Sequence, residues 1–364
     1  MQDHKKMFTV GPVEVHPEIL NEMSKPMVGH RTKECYELYA SIKSKLQELL
    51  YTKNRCFIFA SSSSGVMEAA VRNCVKERCL NLVNGAFSER WHKMTLANGK
   101  AADKLEFEWG LPINPEKLDE ALATGKYDAV TFIHNETSTG VMSNISDIAN
   151  VMKKYPSVIF LVDTVSSMTA LPIKVDELGI DICLAGVQKA FALPPGMAVA
   201  SISEKAIEKA KTVENRGYYF DILELLKYYE KDQYPSTPPI SLMYALNKQL
   251  DRMFAEGVEN RFKRHENMAT LARTWAKNKG FKLYPKVGYE SITLTCVNHE
   301  GKVDYETLSS MLAEKNMTIS KGYGKDKDTT FRIGHMGDIS EEDLKELLRI
   351  MDEILAKHNI EKEM

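Results

Sequence analysis

The stretch Ile182-Cys183-Leu184-Ala185-Gly186-Val187-Gln188-Lys189-Ala190-Phe191-Ala192-Leu193-Pro194-Pro195-Gly196 decides the fold. Its first four residues make a short apolar run, and two prolines and a glycine stiffen its end. A continuous apolar run bounded by turn signals reads as a strand buried on both faces, as in a parallel sheet. Parallel sheets carry their functional groups at the carboxyl ends of the strands. Lys189 stands at such an end. An amine held there among apolar groups is partly desolvated, so its pKa falls. A neutral lysine amine forms a Schiff base with an aldehyde.

Upstream, Val158-Ile159-Phe160-Leu161-Val162 is a second apolar run, and it ends in Asp163. Lys189 lies about one connection further along the chain, so the two strand tips are expected to be neighbours. An amine and a carboxylate side by side suit pyridoxal 5'-phosphate: the amine holds the aldehyde and the carboxylate keeps the pyridine nitrogen protonated. Each residue alone has a plainer explanation. Asp163 would serve as a cap for the turn Thr164-Val165-Ser166-Ser167, and Lys189 as a lysine snorkelling from a strand end.

Other strand ends carry further polar groups. Ser61-Ser62-Ser63-Ser64-Gly65 separates a strand pattern from a helical one, where free amides, hydroxyls and the helix dipole would meet a phosphate. The same serines would also make an ordinary helix cap. Asn84-Gly85-Ala86-Phe87 supplies a ring that could lie flat on a pyridine, although a lone phenylalanine is more often core. His134-Asn135-Glu136-Thr137-Ser138-Thr139-Gly140 is too polar for a core, and polar loops of this kind concentrate function. Arg332, inside the apolar run Phe331-Arg332-Ile333-Gly334, needs a partner, either an internal carboxylate or a substrate one.

The first two-thirds of the chain alternates strand patterns at 56–60, 80–83, 129–133, 158–162, 182–185 and 197–202 with helical patterns at 65–76, 87–97, 115–123 and 145–154. That alternation predicts an α/β fold whose large domain has a mostly parallel sheet flanked by helices. Prolines break the pattern at 234–239, and a long helix bent near Gly257 follows over 240–277. A smaller C-terminal α+β domain closes the chain with strand, helix, strand, helix at 291–297, 304–315, 330–333 and 340–357. At 364 residues, two domains are expected. The boundaries are read as 1–15, an N-terminal segment joining the small domain or the active-site entrance, 16–250, and 251–364.

Bulk composition excludes several classes of function. The formal net charge of −2 gives no electrostatic reason to expect nucleic acid or an anionic membrane. No apolar run approaches bilayer length, and the polar start lacks a signal-peptide core. The six cysteines are scattered with no Cys-x-x-Cys pair, and the nine histidines show no metal-ligand spacing. A cytoplasmic protein with reduced, buried thiols and no metal is the expectation.

Taken in order, these segments resemble the class V (fold type I) pyridoxal-phosphate aminotransferases, especially the alanine–glyoxylate and serine–pyruvate group. Gly11-Pro12, Gly29-His30-Arg31, Asp163, Gln188-Lys189 with Pro194-Pro195-Gly196, and Arg332-Ile333-Gly334 look like successive motifs of that family. The resemblance runs from Phe8 to Gly334. It implies that Lys189 carries the cofactor and then acts as acid and base, that Asp163 pairs with the ring nitrogen, and that Phe87 stacks on the ring. Thr137 would lie near the phenolic oxygen and Val165 against the other ring face. Ser62, Ser63, Ser64 and Gln188 would bind phosphate, joined by Tyr234 and Thr237 of the partner subunit in a homodimer with shared active sites. Arg332 would hold the substrate carboxylate, with Gly11, His30 and Arg31 near the substrate. The chain departs from those relatives in two places: consecutive serines replace a Ser-Gly-His loop, and Phe87 stands where tryptophan is common.

The implied reaction is a ping-pong transfer between a small amino acid, serine or alanine, and a 2-oxo acid, glyoxylate or pyruvate. An acidic donor, phosphoserine or aspartate, with 2-oxoglutarate is the alternative, resting on His30, Arg31 and His335 as spare cationic or hydrogen-bonding groups. In the plainer reading Arg31 pairs with Glu34 or Glu37. A cysteine desulfurase shares the fold but usually has histidine before its lysine, and here Gln188 stands there. A non-catalytic descendant would be expected to have lost Lys189 or Asp163.

Overall fold

A computed structural model describes residues 4–357. The chain starts with β1 (Lys6–Phe8) and later supplies β2 (Arg55–Phe59), β3 (Cys79–Val83), β4 (Ala102–Glu106) and β5 (Ala129–Ile133). A small hairpin follows, β6 (Asn135–Glu136) with β7 (Val141–Met142), and then β8 (Ile159–Asp163), β9 (Ile182–Gly186) and β10 (Ala198–Ile202). One seven-stranded sheet orders these as β2-β10-β9-β8-β5-β3-β4. Only β10 runs antiparallel to its neighbours.

The strands visible as apolar runs, β2, β3, β5, β8, β9 and β10, are buried along all or nearly all of their length, because helices cover both faces of the sheet. The edge strand β4 reads Ala-Asp-Lys-Leu-Glu and is partly exposed, so no apolar run announced it. Ile133 of β5, Asp163 of β8 and Leu184 of β9 lie in register. The carboxylate therefore sits at the carboxyl edge of the sheet's centre, where the loops after β2, β3, β5 and β9 also arrive.

The remaining strands are β11 (Lys282–Leu283), β12 (Leu294–Asn298), β13 (Met317–Lys321) and β14 (Thr330–Gly334). They form a second sheet in the order β1-β13-β14-β12-β11, with β1 parallel to β13. The long helical stretch is two helices, Ile240–Glu256 and Val258–Asn278, interrupted at Gly257. One large core surrounds the seven-stranded sheet and a second lies between the small sheet and its helices. Each fully buried Val, Ile, Leu or Phe in them contributes about 1.5–3 kcal/mol. A third cluster, including Val10, Val13, Ala190, Ala192 and Met336, packs beside Lys189.

Candidate active site

Lys189 lies in a tight turn just after β9, closed by Ala192 N donating to Lys189 O at 2.8 Å and Leu193 N to Val187 O at 3.1 Å. Its ammonium donates to the backbone carbonyl of Val10. Burial, helped by the Arg332 and Arg90 charges and opposed by Asp163, lowers its pKa to about 8. Asp163, the last residue of β8, is buried and accepts from Val165 N at 2.7 Å. Burial raises its pKa to about 7, against that hydrogen bond and the Lys189 charge. Both groups line one cavity of about 500 Å³. The amine and the carboxylate thus converge as the strand order requires.

Ser62, Ser63 and Ser64 line the same cavity, at the start of the helix Ser63–Cys74. Ser62 is its N-cap residue yet makes no capping bond with its side chain. Its hydroxyl is therefore not spent on the helix, and first-turn amides have no partner within a helix. Gln188 completes this wall, with its amide oxygen buried and unpartnered. The serine hydroxyls, the free first-turn amides and the positive end of the helix dipole suit a phosphate.

Phe87 lines the cavity from the first turn of the helix Ala86–Ala97. Glu136, fully buried in β6, positions it. The Glu136 carboxylate accepts from Phe87 N at 3.2 Å, Ser88 N at 2.9 Å and the hydroxyls of Ser88 and Ser138 at 3.0 and 2.6 Å. Gly85 permits this approach, because a β-carbon there would lie 2.3 Å from Glu136 Cγ. Thr137 and Val165 line the cavity, and Thr137 donates to Ser166 Oγ at 3.0 Å. His134 is neutral scaffolding: burial lowers its pKa to about 4, and it pairs with Ser167 Oγ at 3.0 Å.

Arg332 is buried in β14, and its partners are backbone carbonyls rather than a carboxylate. It donates from Nη1 to Thr137 O at 3.0 Å, and from Nε and Nη2 to Lys321 O at 3.0 and 2.9 Å. Three of the five N–H donors of a guanidinium are engaged, which leaves two for a ligand. Gly11 and Pro12 form another part of the wall, against Lys189.

Other expected residues lie elsewhere in this chain. His30, Arg31 and Tyr234 line a separate pocket of about 270 Å³ with Tyr36, Tyr228 and Gln233. Thr237 is exposed. Arg31 pairs with neither Glu34 nor Glu37, whose carboxylate is taken by Lys33 at 3.3 Å. His335 is buried against Thr295 Oγ1 at 3.0 Å, and burial lowers its pKa to about 3, so it supplies no charge to a substrate.

Sequence reasoning passed over Arg90 and Tyr323 and gave Asn135 and Glu136 no role beyond the polar loop that holds them, although the first three line the cavity and the last orients Phe87. Arg90 could have been found, since it falls one helical turn after Phe87. Tyr323, set between Gly322 and Gly324, gave no comparable signal.

The cavity fits pyridoxal 5'-phosphate by the chemistry of its donors. A helix N-terminus with unspent hydroxyls would hold the phosphate, a buried carboxylate the ring nitrogen and an amine of lowered pKa the aldehyde, and the oxygens of Gln188 and Asn135 are buried without a partner. Residues 16–330 match the family described as Aminotransferase class-V. An uncharacterized aminotransferase of Methanocaldococcus jannaschii is 38% identical over 98% of this chain and 94% of its own. The L-aspartate–glyoxylate aminotransferase of Paracoccus denitrificans is 32% identical, covering 94% of this chain and 88% of its own. The alanine–glyoxylate aminotransferase structure from Nostoc sp. superposes with a TM-score of 0.91 at 28% identity, over 97% of this chain and 95% of that one. By site geometry, sequence and fold alike, this chain belongs to the class-V aminotransferases, fold type I enzymes that depend on pyridoxal 5'-phosphate.

Proposed function

We propose that the enzyme moves an amino group from a small amino acid, serine or alanine, to a short 2-oxo acid, glyoxylate or pyruvate, in two half-reactions. The observation that carries this reading is the convergence of Lys189, Asp163 and the Ser62–Ser64 helix start on one cavity, with two free N–H groups on the neighbouring Arg332. Bound there, pyridoxal phosphate supplies an aldehyde for the amino group and a ring that accepts electrons. Asp163 holds the ring nitrogen protonated. Ser62, Ser63, Ser64 and Gln188 bind the phosphate and fix the register of the ring. Phe87 and Val165 cover its faces and exclude water. Arg332 grips the substrate α-carboxylate with its two remaining donors. Lys189, with its pKa lowered to about 8, moves the Cα proton once it is released from the cofactor.

The enzyme works as a homodimer, in which Tyr234 and Thr237 of the partner subunit complete the phosphate end. This is supported by their position outside the cavity of their own chain and by nearby exposed aromatic surface, including Tyr218 at 72% exposure. A desulfurase reading is disfavoured, because Cys296 is buried in β12 and burial raises its thiol pKa to about 12.

The test is spectroscopic. The yellow enzyme is mixed with single amino acids and conversion to the pyridoxamine form is followed, then reversed with glyoxylate or pyruvate. Serine or alanine is expected to convert it, and Lys189→Ala to abolish the conversion. Wild-type turnover in Lys189→Ala, or a purified protein that binds no chromophore, would defeat the reading.

A further inference from the structure

A second cation stands in the cavity wall. Arg90, one turn after Phe87 on the helix Ala86–Ala97, lies with its guanidinium carbon 4.8 Å from the Phe87 ring centroid. Its one hydrogen bond goes to Tyr323 Oη at 3.2 Å. Among the described residues no carboxylate pairs with it. Its helical neighbour Glu89 is taken by Lys104 at 3.3 Å and Lys93 at 3.8 Å. Four of its five N–H donors are therefore unspent.

Tyr323 ties Arg90 to Arg332. The Tyr323 ring stacks on Phe87 with centroids 5.4 Å apart and planes at 17°. The Arg332 guanidinium lies 5.5 Å from the centroid of that same tyrosine ring. One aromatic ring thus separates two guanidiniums: the inner one is held rigid by backbone carbonyls, and the outer one reaches solvent at the cavity mouth. Both are close enough to Lys189 that their charges lower its pKa. Among the described residues neither has a carboxylate partner: Arg332 is buried on backbone carbonyls, and Arg90 lines the cavity. The inner one serves an α-carboxylate, which leaves the outer one for a second acidic group.

We infer that Arg90, with the Tyr323 hydroxyl beside it, is a side-chain subsite, so the donor range extends to amino acids that carry a second acidic group. This rests on the aminotransferase reading above, with Arg332 holding the α-carboxylate. It replaces His30, Arg31 and His335 as the cationic groups for an acidic donor, because none of those three lines the cavity in this chain. The recognised chemistry is an anionic oxygen group presented to a guanidinium fork, either carboxylate or phosphate.

The experiment measures the amino half-reaction of the wild-type holoenzyme with L-alanine, L-aspartate, L-glutamate and O-phospho-L-serine. It is repeated with Arg90→Gln and Arg90→Lys. At least one acidic donor is expected to react, and whether it is a carboxylate or the phosphate names the group. The ratio of kcat/KM for that donor to kcat/KM for alanine should fall about 10- to 100-fold in Arg90→Gln, the scale of a charge-assisted contact. It should recover in part in Arg90→Lys, which keeps the charge and loses the fork. Reaction with alanine but with no acidic donor overturns the inference, and so does an acidic-to-alanine ratio that Arg90→Gln leaves unmoved. Failure of every amino acid, alanine included, overturns the aminotransferase reading itself, and this inference with it.

Discussion

Gly11 and Lys189 are packed so closely that a β-carbon at position 11 would fall 2.4 Å from Lys189 Cδ and 2.6 Å from its Nζ. Gly11 also holds a φ of +110°, which L side chains rarely adopt. A side chain here would displace the lysine amine from its position in the cavity. Gly11→Ala is therefore expected to lower kcat by about 100-fold or more, the scale of a misplaced reacting group. Stopped-flow absorbance of the half-reaction checks it, and wild-type rates in Gly11→Ala would refute the crowding argument.

Asp163 makes stability depend on pH. In the folded, cofactor-free protein its pKa is about 7, raised mainly by burial, against roughly 3.9 unfolded. Between those values the folded state binds a proton that the unfolded state has lost. The contribution of this carboxyl is thus complete below about pH 4 and is lost as pH rises through 7. The loss at pH 8 is on the order of a few kcal/mol. The amide introduced by Asp163→Asn does not titrate, so the apoprotein of that variant should be the more stable at pH 8, and the gap should close toward pH 4. Urea denaturation across that range measures it. The same variant as holoenzyme should lose turnover, because an amide does not keep a ring nitrogen protonated.

Strand tips were the most legible part of the molecule. An apolar run that closes on polar residues marks a buried strand and its tip, which placed Asp163 and Lys189, although each alone also had a plainer explanation. The serine run was legible because a strand-to-helix junction is a local feature. Tyr323 was not, and although Arg90 falls one turn after Phe87, its pairing with Tyr323 joins segments far apart in the chain, which no local pattern encodes. Glu136 lay inside a loop already picked out as functional, but its role appears only where it meets the helix of Phe87. The small-sheet strands β1, β11 and β13 escaped because they are only partly buried, and β1 and β11 are also short. Arg332 showed the reverse case. Its burial was legible, while its partners, the carbonyls of Lys321 at the end of β13 and of Thr137 in a distant loop, were not.

Arg261 joins three parts of the chain beneath the site. It is buried in the helix Val258–Asn278 and pairs through Nη1 with Asp338 at 3.1 Å and Glu256 at 3.0 Å. Its Nη2 donates to Ala190 O, next to Lys189, at 2.8 Å. Arg261→Ala would leave Asp338 buried with less compensation and is expected to cost about 3–5 kcal/mol in urea denaturation. Arg261→Lys keeps one charge but not the fork, so it should fall between. Unchanged stability in Arg261→Ala would show that Gln249 and Arg252, which also reach Asp338, suffice.

In the proposed site Glu136 acts on the cofactor through Phe87, and its variant separates that role from mere support of the fold. Glu136→Gln keeps the shape but turns one acceptor oxygen into a donor facing the amides of Phe87 and Ser88 or the hydroxyl of Ser138. It also removes a negative charge from a helix start, where the dipole favours one. Leaving a buried donor unsatisfied costs about 1–3 kcal/mol. If the carboxylate only held the loop, that cost would appear in stability alone. Because it fixes the first turn that carries Phe87, affinity for pyridoxal phosphate should fall as well, by about 10-fold if half of a roughly 3 kcal/mol loss reaches the stacking ring. Fluorescence titration of apoprotein with the cofactor reads this directly. An unchanged dissociation constant beside a lowered unfolding midpoint would confine Glu136 to the scaffold.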